Sequence, residues 1–228
     1  HVERLVFGRL DRRRHGVRLY VPDMMLGPVF LGIDYGGSNP HAVGFYHYLM
    51  QETRAVGWSG NSIPIPAGSV VMFDEIYRAD IRNTKLADII KQREKEWRTG
   101  GNGRPAVPHF RVKDRFSDPQ GKAASDELRH MNVPTHFYGI KQGTRDVKEQ
   151  IKLARGMIDD DLVYAELVRT DTSDSKDVMF WSEVEYYHYP TPKPGMLDDP
   201  EKPVDDFDHM MSGFRYLVIN LDWLRKHR

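Results

Sequence analysis

Four acidic residues stand where their type and position could do chemistry. Asp34 closes the apolar run Val29 to Asp34 (VFLGID), Glu75 lies within Ser69 to Tyr77 (SVVMFDEIY), Asp118 follows Phe110 to Ser117, and Asp208 opens the final amphipathic segment. Strand ends and a helix start can converge at the carboxyl edge of an α/β sheet, where sites form. Carboxylates gathered there repel one another unless cations neutralise them. Oxygen-only ligation suits Mg²⁺ or Mn²⁺, and two such ions can clamp an in-line phosphoryl displacement. Each acid also has a structural reading. Asp34 can form the turn before Gly36-Gly37, Asp118 can cap a helix beginning near Gly121, Asp208 can sit in a helix first turn, and Glu75 can face solvent or pair with an arginine.

The elements that would position these acids are read from periodicity. The short apolar run Val29–Asp34 predicts a buried strand, joined as a hairpin to a second at His41–Met50 through Gly36-Gly37-Ser38-Asn39-Pro40. The Val- and aromatic-rich Ser69–Tyr77 predicts a third, and Phe110–Ser117 another that ends at Asp118-Pro119. Further strands are expected at Thr135–Ile140 and Leu162–Val168, and a short β-rich run at Val17–Val21. Apolar residues at helical spacing predict helices over Thr84–Trp97, Lys122–Met131, Thr144–Ile158 with Thr144 as N-cap, Asp177–Tyr189 and Phe207–Leu224. Hairpin strands first and alternating strands and helices afterwards predict an α/β domain with a mixed sheet.

Composition narrows the classes. The 228 residues contain 33 Lys+Arg, 33 Asp+Glu, 10 His and no cysteine, with 39% apolar residues. That excludes a disordered chain, a disulfide scaffold, a thiolate zinc site and a cysteine nucleophile. No run is apolar enough to cross a membrane, and the charged start does not read as a signal peptide. The opening histidine suggests a fragment of a longer chain. The zero net charge is segregated: Val2 to Tyr20 carries six arginines against two acids, and Asp198 to Asp208 carries six acids against one lysine. A basic arm can hold phosphates and an acidic cluster can hold cations, or both can be solvated surface.

The segments VFLGIDYGGSNPHAVGFYHY, VVMFDEIYR, FSDPQGKAASDEL, FYGIKQGTRDVKEQIKLARGMI and DFDHMMSGFRYLV resemble, in this order, the nuclease domain of bacteriophage terminase large subunits. The most specific is Asp208 to Tyr216, similar to the family's Asp-His-Ala-Met-Asp-Ala-Leu-Arg-Tyr. Ser212 replaces the second acid of that motif, and Gly213 weakens the helix by about 1 kcal/mol relative to Ala. The resemblance implies an RNase H-like fold, with a central mixed sheet of the five-stranded type flanked by helices. It implies a divalent-metal-dependent endonuclease that cuts concatemeric double-stranded viral DNA, with little sequence preference, using two Mg²⁺ or Mn²⁺ ions. Asp34, Asp118 and Asp208 then match the family's metal-binding acids, and Glu75 matches an acidic position of less uniform role. Lys141 matches a basic residue near the site. Lys122 is a further candidate phosphate contact, and His209 a candidate for positioning a phosphate or water, or simply a helix-surface side chain.

Residues 1–28 would then be a basic lead-in, the tail of a linker from an ATPase motor domain, and 29–228 the nuclease domain. Arg12, Arg13 and Arg14 would track the DNA backbone or dock against that motor. Portal and small terminase subunit are the implied partners, and the host cytoplasm the implied location. Three alternatives remain on the residues alone. Another RNase H-like nuclease, a junction resolvase or transposase core, shares the acids. The turn Gly32-Ile33-Asp34-Tyr35-Gly36-Gly37 also resembles the first phosphate loop of actin-like and sugar kinases. A catalytically inactive DNA-binding or assembly module would keep the fold with vestigial acids.

Overall fold

A computed structural model of the chain describes residues 5–22, 27–36, 39–138, 146–168, 178–190, 203–204 and 208–226. Eight strands form one sheet among these residues: β1 (Gly16–Arg18), β2 (Val29–Asp34), β3 (His41–Tyr48), β4 (Thr53–Gly57), β5 (Ser62–Ile65), β6 (Val70–Arg78), β7 (Val112–Ser117) and β8 (Val163–Glu166), in the order β5-β4-β1-β8-β6-β3-β2-β7. The helices are α1 (Arg12–His15), α2 (Asn83–Thr99), α3 (Lys122–His130), α4 (Val147–Asp159), α5 (Met179–Tyr186) and α6 (His209–Lys226). Strand β3 runs antiparallel to both β2 and β6, while β2 pairs parallel with β7 and β6 parallel with β8. Strands β2, β6, β7 and β8 therefore end at the same edge, at Asp34, Arg78, Ser117 and Glu166.

Each face of the sheet carries its own core. Phe30, Ala42, Met72 and Phe116 pack with α4, α5 and α6, whereas Leu31, Ile33, Val43, Phe45, Val71 and Phe73 pack with Leu86, Ile90 and Trp97 of α2 and Leu128 of α3. Alternation along β2 puts Gly32 and Asp34 on the face of Phe30, towards α6. In β6 the alternation is broken. Phe45 pairs with Asp74 but Tyr46 with Met72, so Phe73 is an extra residue. This bulge inverts the parity of the residues beyond it, as a one-residue slip must. Asp74 turns to the α2 face, where Arg93, Trp97 and Arg104 bind its carboxylate, and Glu75 turns to the α5 face.

Helix α6 buries Met210, Met211, Phe214, Leu217, Val218 and Leu221, each contributing on the order of 2 kcal/mol by leaving water. Its approach to β2 depends on two glycines. A Cβ on Gly32 would lie 2.2 Å from the carbonyl oxygen of Gly213, and one on Gly213 would lie 3.0 Å from that of Gly32. The glycine that weakens the isolated helix is thus what lets it lie against the strand.

The predicted strands at 29–34, 41–50, 69–77 and 110–117 form as neighbours, and 162–168 forms as β8. Of the predicted strand 135–140, residues 139–140 lie outside the described residues, and 135–138 form only a bridge at His136, bonded to Arg115 and Ser117. The backbone N–H of Tyr138 donates instead to Asn220 Oδ1 on α6, at 2.5 Å, which ends the pairing. The hairpin β4–β5 was not predicted: its strands are short and polar, with Pro64 in the second, as suits a sheet edge. The expected N-cap Thr144 lies outside the described residues, and Asp146 caps α4 through its side chain. From the expected lead-in, Val6, Phe7 and Leu10 enter the core beside Tyr187 and Phe214, and β1 lies between β4 and β8.

The glycine contact sets Gly156 in α4 apart from Gly32 and Gly213 at the β2–α6 approach. Gly156→Ala in α4, where a Cβ meets nothing within 4 Å, should stabilise by about 1 kcal/mol through helix propensity. Gly32→Ala should destabilise by about 1–3 kcal/mol through overpacking against α6, and Gly213→Ala should fall short of the Gly156→Ala gain. Denaturant unfolding of the three variants measures this.

Candidate functional site

Ile33 lies beside Ser117 in the parallel register of β2 and β7, so Asp34 and Asp118 follow at the same level on adjacent strands, with backbones about 5 Å apart. Alternation directs both to the α6 face, as it does Phe30 and Phe116. Asp208 immediately precedes α6, and its carbonyl accepts from Ser212 N at 2.6 Å in the first turn. The two loops that follow the strands are pinned locally. Asp118 Oδ1 accepts from the N–H of Gln120 at 2.7 Å. The buried His41 accepts from Gly36 N through Nδ1 and donates from Nε2 to Ile81 O at 2.9 Å, holding the turn after Asp34.

The three acids share one electrostatic environment. Burial raises the carboxyl pKa of Asp208, Arg215 opposes that rise, and the negative charge of Asp34 adds to it. The hydroxyl of Tyr216 is pushed up first by burial and then by Asp34, Asp118 and Asp208 together. His209 Nδ1 donates to Asp34 Oδ2 at 2.9 Å, and this bond raises the imidazole pKa against the effect of burial. His209 is therefore half-buried against an acid of the site and is not a helix-surface side chain. Behind Asp208, Ser212 Oγ donates to its Oδ2 at 3.1 Å and accepts from Arg215 Nη2 at 2.6 Å, with the guanidinium 3.7 Å from the carboxylate. The serine that replaces an acid in the closing motif thus links Asp208 to its countercharge.

Glu75 serves differently. Its two oxygens accept from Met179 N at 2.7 Å and Phe180 N at 3.1 Å, the first backbone donors of α5. Helix α5 repeats the device one step on: Glu183 Oε2 accepts from Met210 N at 2.6 Å and Met211 N at 3.1 Å, the first turn of α6. Carboxylates at helix N-termini are favoured by the unsatisfied N–H groups and the helix dipole. The sheet thus holds α5 through Glu75, and α5 holds the start of α6 through Glu183. Burial pushes the Glu183 carboxyl up to about 7 despite those bonds and the neighbouring Tyr77 and His209. Tyr77, whose ring centroid is 6.4 Å from that of His209, completes the wall.

Sequence reasoning singled out neither Glu183, Arg215, Tyr216 nor Tyr77. For Ser212, Arg215 and Tyr216 the signal was present: they follow Asp208 at four, seven and eight residues, on one helix face. Glu183 carried none, since it and the exposed Glu185 stand two apart in the same aromatic segment.

The basic candidates are scattered. Lys122 is exposed at the start of α3, and Lys141 lies outside the described residues. Arg12 pairs with Glu185 at 2.7 Å and stacks 6.0 Å over Trp181, Arg14 pairs with Asp161, and Arg13 is exposed. Among the described residues no three metal-binding side chains are already gathered at coordinating distance. The donor chemistry nonetheless fits a hard divalent cation: Asp34 and Asp208 face each other closely enough for the charge of one to hinder ionisation of the other, and all available donors are oxygen or imidazole.

No protein-family model matches the sequence, and no curated protein does. Solved structures do match in fold. The large terminase of a thermophilic bacteriophage, in complex with ADP, superposes with a TM-score of 0.67 at 15% identity, over 96% of this chain and 45% of that one. The P22 large terminase nuclease domain gives 0.57 at 13%, over 94% and 91%. The nuclease domain of the bacteriophage SPP1 large terminase g2p, with bound Mn, gives 0.55 at 18%, over 90% and 94%. This chain spans less than half of the thermophilic-phage terminase and nearly all of the isolated nuclease domains. Its fold is that of large terminase nuclease domains, the RNase H-like fold. Where a sheet of the five-stranded type was expected, the described residues form eight strands, the hairpin β4–β5 and β1 adding to one side.

The raised Glu183 pKa has a definite sign. A carboxyl whose folded pKa lies above its unfolded value of 4.5 stabilises the fold below pH 4.5 and loses that contribution as pH rises through about 7. In metal-free buffer, Glu183→Gln keeps an acceptor for Met210 and Met211 without the charge. Chemical denaturation at a series of pH values should show the variant gaining on the wild type by roughly 3 kcal/mol between pH 4.5 and 7.5.

Proposed function

We propose, on the premise of that shared fold, that this domain is a packaging nuclease: a divalent-metal-dependent endonuclease cutting concatemeric double-stranded viral DNA with little sequence preference. The observation that supports this most is that Asp34 and Asp118 end adjacent parallel strands at one sheet edge, while Asp208 heads α6 beside His209, which bonds Asp34 at 2.9 Å. The bound Mn of the SPP1 nuclease domain supports a divalent cation.

In this reading the carboxylates of Asp34, Asp118 and Asp208 would hold two Mg²⁺ or Mn²⁺ ions. When bound, such ions lower the pKa of an attacking water and neutralise charge on the departing 3′-oxygen. The reaction adds the water oxygen to phosphorus and breaks the bond to the 3′-oxygen. His209, bonded through Nδ1 to Asp34, would orient that carboxylate. Arg215 and Ser212 fix the rotamer of Asp208. Glu75, with both oxygens on the backbone of α5, supports the site and does not ligate. Lys122 and Lys141 contact phosphates flanking the scissile one. A connection from an ATPase motor domain of the same protein would enter through residues 1–28, whose Val6, Phe7, Leu10 and β1 already belong to this domain's core and sheet. That protein would act with portal and small subunit in the host cytoplasm.

Plasmid cleavage tests the reading. Wild-type protein should nick and linearise supercoiled DNA with Mg²⁺ or Mn²⁺ and not with EDTA. Asp34→Ala, Asp118→Ala and Asp208→Ala should each lose activity by at least about 10²-fold, the scale expected when a charge-stabilising group is removed. Cutting in EDTA, or full activity in all three variants, overturns it. Glu75→Gln, which retains an acceptor for α5, should keep most of the activity.

A further inference from the structure

A groove of about 720 Å³ runs along the outer side of α2, beginning at Arg78 at the end of β6. Its floor is electrically settled. The buried guanidiniums of Arg93 and Arg104 are bound to Asp74 and Glu96, at 2.6 Å and 2.8 Å to the first and 3.0 Å from Arg104 to the second. Its rim is not. Lys91 is neutralised by Asp88 at 3.0 Å, but Arg78, Lys85 and Lys95 have no acidic partner among the described residues. Across residues 78–98 there are seven cations and four acids. Three of those acids are already engaged, Asp88 by Lys91, Glu94 by Arg115 and Glu96 by Arg104.

This distribution reverses the one suggested by the sequence. The arginine-rich arm looks like the cationic surface, yet Arg9, Arg12 and Arg14 are paired with Asp159, Glu185 and Asp161. With those arginines paired at the surface, the rim of α2 keeps Arg78, Lys85 and Lys95 without acidic partners among the described residues. Lys85 and Lys95 are about 15 Å apart along the helix axis, comparable with the axial rise of four to five phosphates on one DNA strand. Arg78 follows Tyr77, which pairs through Ala42 with Asp34 across two strand spacings, about 10 Å between backbones, so the groove on the α2 face and the carboxylate on the α6 face meet only around the shared edge.

We propose that the α2 groove is a track for the phosphate backbone of duplex DNA, with Arg78, Lys85 and Lys95 as its contacts, leading the strand to the carboxyl edge at Asp34. The inference rests on the nuclease reading for its choice of polyanion. Its test is independent of cleavage.

Fluorescence anisotropy of a labelled 30-base-pair duplex in EDTA, measured from low to high salt, reads the number of phosphate contacts. The Arg78→Ala/Lys85→Ala/Lys95→Ala variant should bind more weakly and lose roughly three from the slope of log affinity against log salt. The charge-conserving Arg78→Lys/Lys85→Arg/Lys95→Arg variant should keep the wild-type slope, which separates lost contacts from lost folding. An unchanged slope in the alanine variant overturns the proposal, as does a wild type that binds no duplex at any salt. Poly-glutamate displacing the duplex at equal charge concentration would mark a site for an acidic protein and also overturn it. If plasmids are not cut while the slope falls as expected, the nuclease reading fails and the track stands.

Discussion

The closeness of α6 to β2, permitted by the missing side chains of Gly32 and Gly213, is the constraint on which the site depends. Helices usually stand off a sheet by the thickness of the side chains between them. Here carbonyl oxygens would sit 2.2 Å and 3.0 Å from any added Cβ. The N-terminus of α6 is thereby brought down to the rim where β2 and β7 end. That is what allows Asp208, at the head of a helix, to share an environment with Asp34, at the end of a strand.

Burial of the supporting acids Glu75 and Glu183 is made tolerable by a sequence of backbone bonds. Glu75 binds the first N–H groups of α5 and Glu183 those of α6, so two helix starts are fixed by carboxylates that would otherwise be costly to bury. The bulge at Phe73 makes this workable. Without the extra residue Asp74 would face α5 and Glu75 would face α2, and each would lose its partners. One irregularity in β6 thus supplies both the ionic network behind α2 and the support beneath the site.

Much of this was legible in the sequence, and the reason is local. Asp34 ends a short apolar run that reads as a buried strand, Asp118 follows a mixed segment stopped by Pro119, and Asp208 precedes a helix whose apolar spacing is regular. Their convergence at one edge results from parallel pairing, which the alternation of strands and helices implies. The roles of Glu75 and Glu183 were not legible, because they depend on the Phe73 bulge and on which helix start each carboxylate meets. The balance of charge misled for a similar reason: whether an arginine is free depends on acids nearly 150 residues away, such as Asp159 and Asp161.

The central claim is that Asp34, Asp118 and Asp208 form one divalent-cation centre. Anomalous scattering from a crystal of this protein grown with Mn²⁺ tests it most directly. The expected result is a peak with carboxylate oxygens of Asp34 and at least one of Asp118 and Asp208 within roughly 2.3 Å, typical of hard cations on oxygen. Strong peaks elsewhere with none at Asp34, under conditions that saturate binding, would contradict it.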